Sequence, residues 1–173
     1  MNLGVLTVVA AFAATGAFAQ QAHMQGTATE TGQSQFAAIA EIVTLFRDDP
    51  TTEWQNVDID GLRSHLVDMD NVTTKASATK FAEGMAISFT VVGGSEVAAS
   101  IQRMAVAHSR MLEQATGWNV STTTREDGAT MLVEVGSAEE RQQVLGLGFF
   151  GILTLGSQHQ NHHLMIARGR SPH

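Results

Sequence analysis

Apolar residues recur at three- and four-residue intervals after residue 33, which is the period of an amphipathic helix. One such helix is predicted from Ser34 to the stop at Asp48-Asp49-Pro50, since the residue before a proline avoids helical geometry. A second is predicted over residues 59–69, with Asp58 as its N-cap. The apolar stripes that these helices would bury are Phe36, Ile39, Ala40, Val43 and Phe46 or Leu45, and then Leu62, Leu66 and Met69.

The period then changes to two, which is typical of strands with one buried face. Residues 72–79 and 85–92 are predicted to form one β-hairpin. Residues 118–124 and 129–135 are predicted to form a second, turned at Glu126-Asp127-Gly128, because Asp-Gly is a strong turn signal. The buried face of the first hairpin would carry Met85, Ile87, Phe89 and Val91.

Each hairpin is followed by a glycine break, a serine and a long helical pattern. Ser95 is predicted to cap a helix over residues 95–115, and Ser137 to cap a last helix over residues 138–166. The last helix contains glycines that each lower its helicity by about 1 kcal/mol relative to alanine. Either they allow the first half's helix to pack closely, or the segment divides in two near residues 146–148. These glycines are Gly146, Gly148, Gly151 and Gly156.

The order of elements predicts an α+β fold with two N-terminal helices followed by a ββαββα arrangement. Similar short runs open the two hairpins, Asn71-Val72-Thr73-Thr74 and Asn119-Val120-Ser121-Thr122, so an internal ββα repeat is predicted over residues 71–115 and 119–166. The hairpins would form one antiparallel four-stranded sheet with the helices packed on one face. Its Thr/Ser-rich face would be left to solvent or a partner. Residues 34–167 are interpreted as a single domain.

Both ends of the chain are predicted to lie outside this domain. Residues 1–19 resemble a signal peptide, with an apolar run and Ala17-Phe18-Ala19 before Gln20, although no Lys or Arg precedes the run. A single N-terminal anchor helix is the alternative. Residues 20–33 are interpreted as a flexible lead and residues 168–173 as a tail. A periplasmic or secreted location follows, with no stable membrane span after signal cleavage.

Composition limits the chemistry that this domain can perform. The chain has no cysteine, so disulfides and thiolate metal ligands are excluded. It has no tyrosine, which excludes phenolate chemistry. Its formal net charge of −7 argues against nucleic acid as a partner, because nucleic-acid binding favours basic patches.

Histidine is the residue type with the most site-like distribution. His65 and His108 lie beside predicted helical stripes, and His159 and His163 are four apart, which places them on one face of a helix. His162 is predicted to point away from that face. If the helix ends meet at one edge of the sheet, these imidazoles form a metal site, with Met69 and Met104 as further ligands. Asp68 is a candidate hydrogen-bonding partner for an imidazole.

Histidine and methionine without cysteine, in an oxidising compartment, favour copper. Thioether sulfur suits Cu(I), and imidazole holds Cu(II) or Zn(II). The sequence therefore predicts an exported metal-binding protein that handles or senses copper. Zinc is an alternative metal, although Gln160 stands where the helix of zinc peptidases has a glutamate. Non-covalent haem is a third interpretation, with His and Met as axial ligands.

A different class of function is also open: a non-catalytic interaction or ligand-binding module in which the histidines are structural. It would be dimeric through its outer sheet face or through the glycine-spaced last helix. No motif indicates a reaction. The spacing Gly146-x-Gly148-x-x-Gly151 does not follow a predicted strand and carries bulky apolar residues, so it indicates helix packing rather than nucleotide binding. An enzymatic role is therefore disfavoured without being excluded.

Overall fold

The structure, a computed structural model, describes residues 34–156 and 159–170, and only the backbone of His159 and Gln160. Within these ranges the helices are α1 (Ser34–Asp48), α2 (Ile59–Lys75), α3 (Ser95–Thr116), α4 (Ala138–Ile152) and α5 (His159–Ala167), and the strands are β1 (Ser77–Glu83), β2 (Ala86–Val92), β3 (Asn119–Arg125) and β4 (Gly128–Glu134). The strands form one sheet in the order β1-β2-β4-β3, and every neighbouring pair is antiparallel. The predicted α+β fold is confirmed. The predicted signal peptide, flexible lead and last three residues lie outside the described ranges.

The main core lies between the inner face of the sheet and helices α3 and α4. Ile87, Phe89 and Val91 of β2 are fully buried there, as predicted. Met85, predicted for the same face, lies instead in the hairpin turn between β1 and β2 and is 46% exposed. Helix α3 follows the β1–β2 hairpin but packs mainly on β3 and β4. Helix α4 follows the β3–β4 hairpin but packs on β1 and β2. This crossed arrangement joins the two hairpins through a shared core.

The outer face of the sheet carries a row of four threonines, one on each strand. Backbone pairing places Thr79 beside Thr90, Thr90 beside Thr130, and Thr130 beside Thr123. All four are exposed or half-buried. The described helices therefore leave this Thr/Ser-rich face uncovered, as the alternation of the strands predicted.

A second, smaller apolar cluster joins α1, α2 and α5. It is built from Ile42 and Phe46 of α1, Leu62 and Leu66 of α2, and Ala167 of α5. The predicted stripe of α1 was partly wrong, because Phe36 is 67% exposed whereas Ile42 is 1% exposed. Helix α1 buries the line through Ile42 and Phe46, which are one turn apart, where α2 and α5 meet it.

Helix α2 extends beyond its predicted end. Residues 72–75 were predicted to begin a strand, but they continue the helix, and Asn71 and Val72 are buried on its inner side. The hydroxyl of Thr74 donates to the carbonyl of Asp70 at 2.6 Å, which satisfies this side chain within the helix. Burial of Val72 thus outweighs the strand preference of a Val-Thr-Thr run.

Of the four predicted helix caps, three are confirmed and one is wrong. Asp58 accepts a hydrogen bond from the amide of Gly61 at 2.8 Å, and Ser137 accepts one from the amide of Glu140 at 3.2 Å. Helix α3 ends at Gly117, as predicted. Its N-cap, however, is Gly94 rather than Ser95, and Gly94 has no side chain that can cap the helix.

The segment predicted as one last helix is two helices. Gly148 interrupts α4 with φ 62° and ψ −175°, and the chain turns after Ile152 before α5 begins. Division near residues 146–148 was one of the two predicted outcomes, although the larger break comes later. Gly156 alone among these glycines approaches α3, close to Ala115, so close packing is confirmed only there. Within the described residues, no helix has both the length and the apolar character needed to cross a bilayer.

A candidate metal centre

Four imidazoles from three helices lie together at one end of the molecule. His65 comes from α2, His108 from α3, and His162 and His163 from α5. These four residues are called the histidine cluster below. Helix α2 packs against both α3 and α5, so it is the element that holds the other two in place. The apolar stripe of α2 turns His65 towards its neighbours, since Leu62 and Leu66 flank it on the buried side.

The spacing of the rings is close to that of imidazoles that share an ion. The ring centroid of His65 lies 4.7 Å from that of His162, 5.6 Å from that of His163 and 6.4 Å from that of His108. The centroid of His162 lies 5.8 Å from that of His108 and 6.3 Å from that of His163. Two imidazoles bound to one ion through bonds of about 2 Å have centroids about 5 Å apart.

The cluster is largely shielded from water. His108 is 2% exposed, His162 5% and His163 8%, while His65 is half-buried. The Nε2 atoms of His65, His162 and His163 are all buried. Burial of so many imidazoles in one place is unusual for a purely structural role, because desolvation disfavours their charged forms.

A backbone hydrogen bond defines the tautomer of His108. Its Nδ1 lies 2.9 Å from the carbonyl oxygen of Met104, one turn earlier in α3. Because a carbonyl only accepts, Nδ1–H is the donor, and in the neutral ring Nε2 then carries the lone pair. A hydrogen bond from one ring nitrogen to a backbone carbonyl commonly fixes the tautomer of metal-binding histidines in this way.

A carboxylate lies beside the cluster, on the same helix as His65. Asp68 Oδ1 accepts hydrogen bonds from Ser100 Oγ at 2.8 Å and from Arg103 Nη2 at 2.6 Å, and Oδ2 accepts one from Arg103 Nε at 2.7 Å. Asn71 also donates to Ser100, at 3.1 Å. Asp68 is therefore held by α3 from two sides.

These contacts keep Asp68 ionised. Burial raises the pKa of this carboxyl, but the hydrogen bonds from Arg103 and Ser100, with the nearby charges of Arg103 and His65, outweigh burial and leave the pKa lowered. The aspartate thus places a fixed negative charge next to the cluster. Its oxygens are occupied by Arg103 and Ser100, so its effect on His65 is electrostatic.

The two candidate methionine ligands lie in the apolar core. Met104 is 5% exposed and belongs to the main core, and Met69 packs partly buried between the two apolar clusters. Met104 also supplies the carbonyl that holds His108. Both methionines stay candidate ligands, with a packing role that is already evident.

The structure brings together four of the five histidines predicted for the site. The side chain of His159 lies outside the description, so its part in the site stays a prediction. His162 was predicted to point away from the others, yet its ring is the nearest to that of His65. The prediction relied on the angular offset between adjacent residues of one helix. In the structure α5 packs against α2, and the rings of both His162 and His163 approach that of His65.

A groove beside the cluster was not anticipated from the sequence. It has a volume of about 720 Å³ and lies between α2, α3 and the end of α5, next to Thr124 of β3. Its lining includes His65, Asp68, Arg103, Met104, Val106 and Ile166. The pairing of Arg103 with Asp68 joins residues 35 apart in the chain, so no local pattern could have revealed it.

Neither a search for preformed metal-binding groups nor comparison with known proteins identifies the function of this site. Across residues 34–156 and 159–170, no group of three or more His, Asp or Glu residues that could hold a metal ion is found. No family model, curated protein or solved structure matches the chain. The chemistry of the site must therefore be inferred from its own residues.

Proposed function

We propose that this protein is an exported metal-binding protein that handles or senses copper through the histidine cluster. The observation that carries the proposal is the approach of four imidazoles from α2, α3 and α5 to centroid distances between 4.7 and 6.4 Å. Binding requires the imidazoles to rotate about their side-chain torsions, because the described side chains do not already form a coordination set. Such rotations are small movements for side chains this close together.

Copper is favoured over other metals by the donors that the chain offers. Imidazole nitrogen suits Cu(II) and Zn(II), thioether sulfur suits Cu(I), and the chain contains eight methionines and no cysteine. The carboxylate nearest the cluster, Asp68, is already engaged by Arg103 and Ser100, which disfavours the hard cations that prefer oxygen. Zinc is the second metal that these donors suit.

A handling or sensing role suits the cluster better than catalysis. Its described rings are mostly buried, and Asp68, one turn after His65 in α2, is paired with Arg103, so this carboxylate is not available as a general base. A protein that stores, transfers or detects an ion needs such a shielded set of ligands.

The direct test is a metal titration of the mature protein with Cu(I), Cu(II) and Zn(II). We expect binding of about one equivalent of copper, tighter than micromolar, and weaker binding of zinc. His65→Ala, His108→Ala and His162→Ala should each weaken copper binding at least about tenfold, or 1.4 kcal/mol. Gln142→Ala, at an exposed position of α4 outside the cluster, is the control and should leave copper binding unchanged. Affinity weaker than micromolar, or unchanged in the three variants, would refute the proposal.

A second candidate function is an interaction module that dimerises through the outer sheet face. It is favoured by Phe81, which is 68% exposed on β1 and lies beside the row of threonines. Light scattering of the wild type and of Phe81→Ser separates the two cases. A dimer that dissociates on this substitution would support the module, and a monomer at all concentrations would exclude it.

Haem is a third candidate, through imidazole or thioether ligation of the iron. The chain has few aromatic residues, at 6%, to line a porphyrin pocket. Adding haem to the purified protein and recording the absorbance spectrum tests this interpretation. A sharp Soret band that disappears in His108→Ala would favour it over copper.

A further inference from the structure

The groove beside His65 has the dimensions of a small-molecule site. Its volume of about 720 Å³ falls within the range of roughly 300–1,000 Å³ that is usual for pockets that hold small ligands. Side chains of Met104, Val106, Ala107 and Ile166 give it an apolar surface. Val106 is 51% exposed, so this apolar surface is open to a ligand rather than sealed in the core.

Two guanidinium groups line the same groove, in a chain whose formal charge is −7. Arg103 donates to Asp68 through Nε and Nη2, which holds the guanidinium in place and leaves Nη1 as a donor for a ligand. Its side chain is 61% exposed. Arg170 is the second cation of the lining and is also exposed.

The carboxylates of the groove are engaged with the protein itself. Asp68 accepts hydrogen bonds from Ser100 and Arg103, and Asp58 caps α2 by accepting from the amide of Gly61. Asp58 is exposed and lies at the end of the groove where α2 begins. Asp68 is buried, whereas Arg103 and Arg170 are exposed, so the two arginines are more accessible to a ligand than this carboxylate is. This balance favours a ligand that carries negative charge.

We propose that the groove binds a small organic molecule with an apolar body and one anionic group, such as a medium-chain carboxylate. The body lies along Val106, Ala107 and Ile166, and the anion accepts hydrogen bonds from Arg103 Nη1 and Arg170. The proposal goes beyond metal binding and does not depend on it. Because His65 belongs to both the groove and the histidine cluster, a ligand bound here lies directly beside that cluster.

Calorimetric titration of the metal-free protein with octanoate and with octanol tests both halves of the proposal. We expect saturable 1:1 binding of octanoate at micromolar concentrations. Octanol should bind at least about tenfold more weakly, since it cannot form the charge-assisted hydrogen bonds to the two guanidinium groups. Equal binding of the two probes, or no saturable binding of octanoate, would overturn the proposal.

Substitutions at residues that line the groove test whether octanoate binds there. Ser64→Trp adds bulk on the exposed side of α2 that lines the groove and should abolish octanoate binding. Arg170→Gln should weaken octanoate binding about tenfold and leave octanol binding unchanged. Thr79→Trp, which adds the same bulk on the outer sheet face, is the matched control and should change neither. A loss of binding in Thr79→Trp as large as that in Ser64→Trp would place the ligand elsewhere and refute the proposal.

A spectroscopic measurement covers the case in which a groove variant fails to fold. Octanoate should shift the methyl resonance of Met104, which lines the groove, and leave that of Met85 at the hairpin turn unchanged. Shifts at Met85 without shifts at Met104 would overturn the proposal. Copper binding is measured in a separate titration, so a protein that binds copper but not octanoate refutes this inference alone.

Discussion

At the scale of single residues, the pair formed by Asp68 and Arg103 determines the charge beside the histidine cluster. Asp68 has a side chain only 12% exposed, whereas that of Arg103 is 61% exposed. The exposed guanidinium of Arg103 thus compensates the buried negative charge of Asp68 from the solvent side. Removing it leaves a carboxylate that is poorly hydrated and has lost its main hydrogen-bond donor.

Arg103→Gln should lower the free energy of unfolding by about 1–2 kcal/mol, because it leaves Asp68 charged and undercompensated. Urea denaturation measures this change. Adding Asp68→Asn to the same chain should recover part of the loss. Arg125→Gln, which removes an ion pair with Asp127 whose partners are about half exposed, is the control and should cost less than about 0.5 kcal/mol. Equal losses of unfolding free energy in Arg103→Gln and Arg125→Gln would contradict the role of Arg103 in compensating a buried charge.

The lowered pKa of Asp68 predicts a specific dependence of stability on pH. A group whose pKa is lower in the folded state stabilises the protein above its unfolded pKa of about 3.9, and this contribution is lost as the pH falls through the folded value. Asp68→Asn should therefore lose less stability than the wild type between about pH 5 and pH 2. Denaturation curves across this interval measure the difference. If the free energy of unfolding falls equally with pH in both proteins, Asp68 does not contribute to the pH dependence of stability.

At the scale of elements, the turn between α4 and α5 determines how the last two histidines reach the cluster. Gly156 has φ 71°, and a Cβ at this position would lie against Ala115 and the carbonyl of Met111 in α3. The turn is therefore pressed against the C-terminal end of α3. Since α5 begins three residues later, this contact sets the direction in which His162 and His163 approach.

Gly156→Ala should destabilise the protein by about 2–3 kcal/mol, since it combines an unfavourable φ with a clash against α3. Gly117→Ala is the matched control: its φ of 72° is also positive, but a Cβ there meets nothing within 4 Å. Its cost should be only about 1–2 kcal/mol. Chemical denaturation compares the two variants. A larger loss in Gly117→Ala would show that the contact of Gly156 with α3 is not important for stability.

At the scale of the whole molecule, the cluster joins three helices that belong to two different apolar cores. Helix α3 packs in the main core and α5 in the smaller cluster with α1, whereas α2 contributes Val72 to the first and Leu62 and Leu66 to the second. An ion bound to His65, His108 and His162 would connect these two parts. Metal binding should therefore stabilise the native state as a unit.

Copper at about 100 times its dissociation constant should stabilise the protein by about 2.7 kcal/mol, which for a chain of 173 residues corresponds to about 5–10 °C in Tm. Differential scanning calorimetry with and without copper measures the shift. His65→Ala should remove it, and Gln142→Ala, on the exposed side of α4, should retain it. An unchanged Tm in the wild type at saturating copper would contradict binding to the native state.

Much of the architecture follows from local patterns. The alternation in β2 and β4, the Asp-Gly turn and the caps at Asp58 and Ser137 act within a few residues, so the sequence was enough to predict the α+β fold and its single helical layer. The errors occurred where tertiary burial outweighed local preference. Val72 stays helical because it is buried, and Phe36 is exposed because α1 turns Ile42 inwards.

For the candidate site, too, some features follow from the sequence and others only from the tertiary structure. The sequence by itself determined which donors exist, since imidazole and thioether are present and thiolate is absent. Only the tertiary structure decided that His65, His108, His162 and His163 meet, that Arg103 holds Asp68, and that a groove opens beside them. These contacts depend on packing between residues 35 or more positions apart, and the periodicity within each helix does not contain that information.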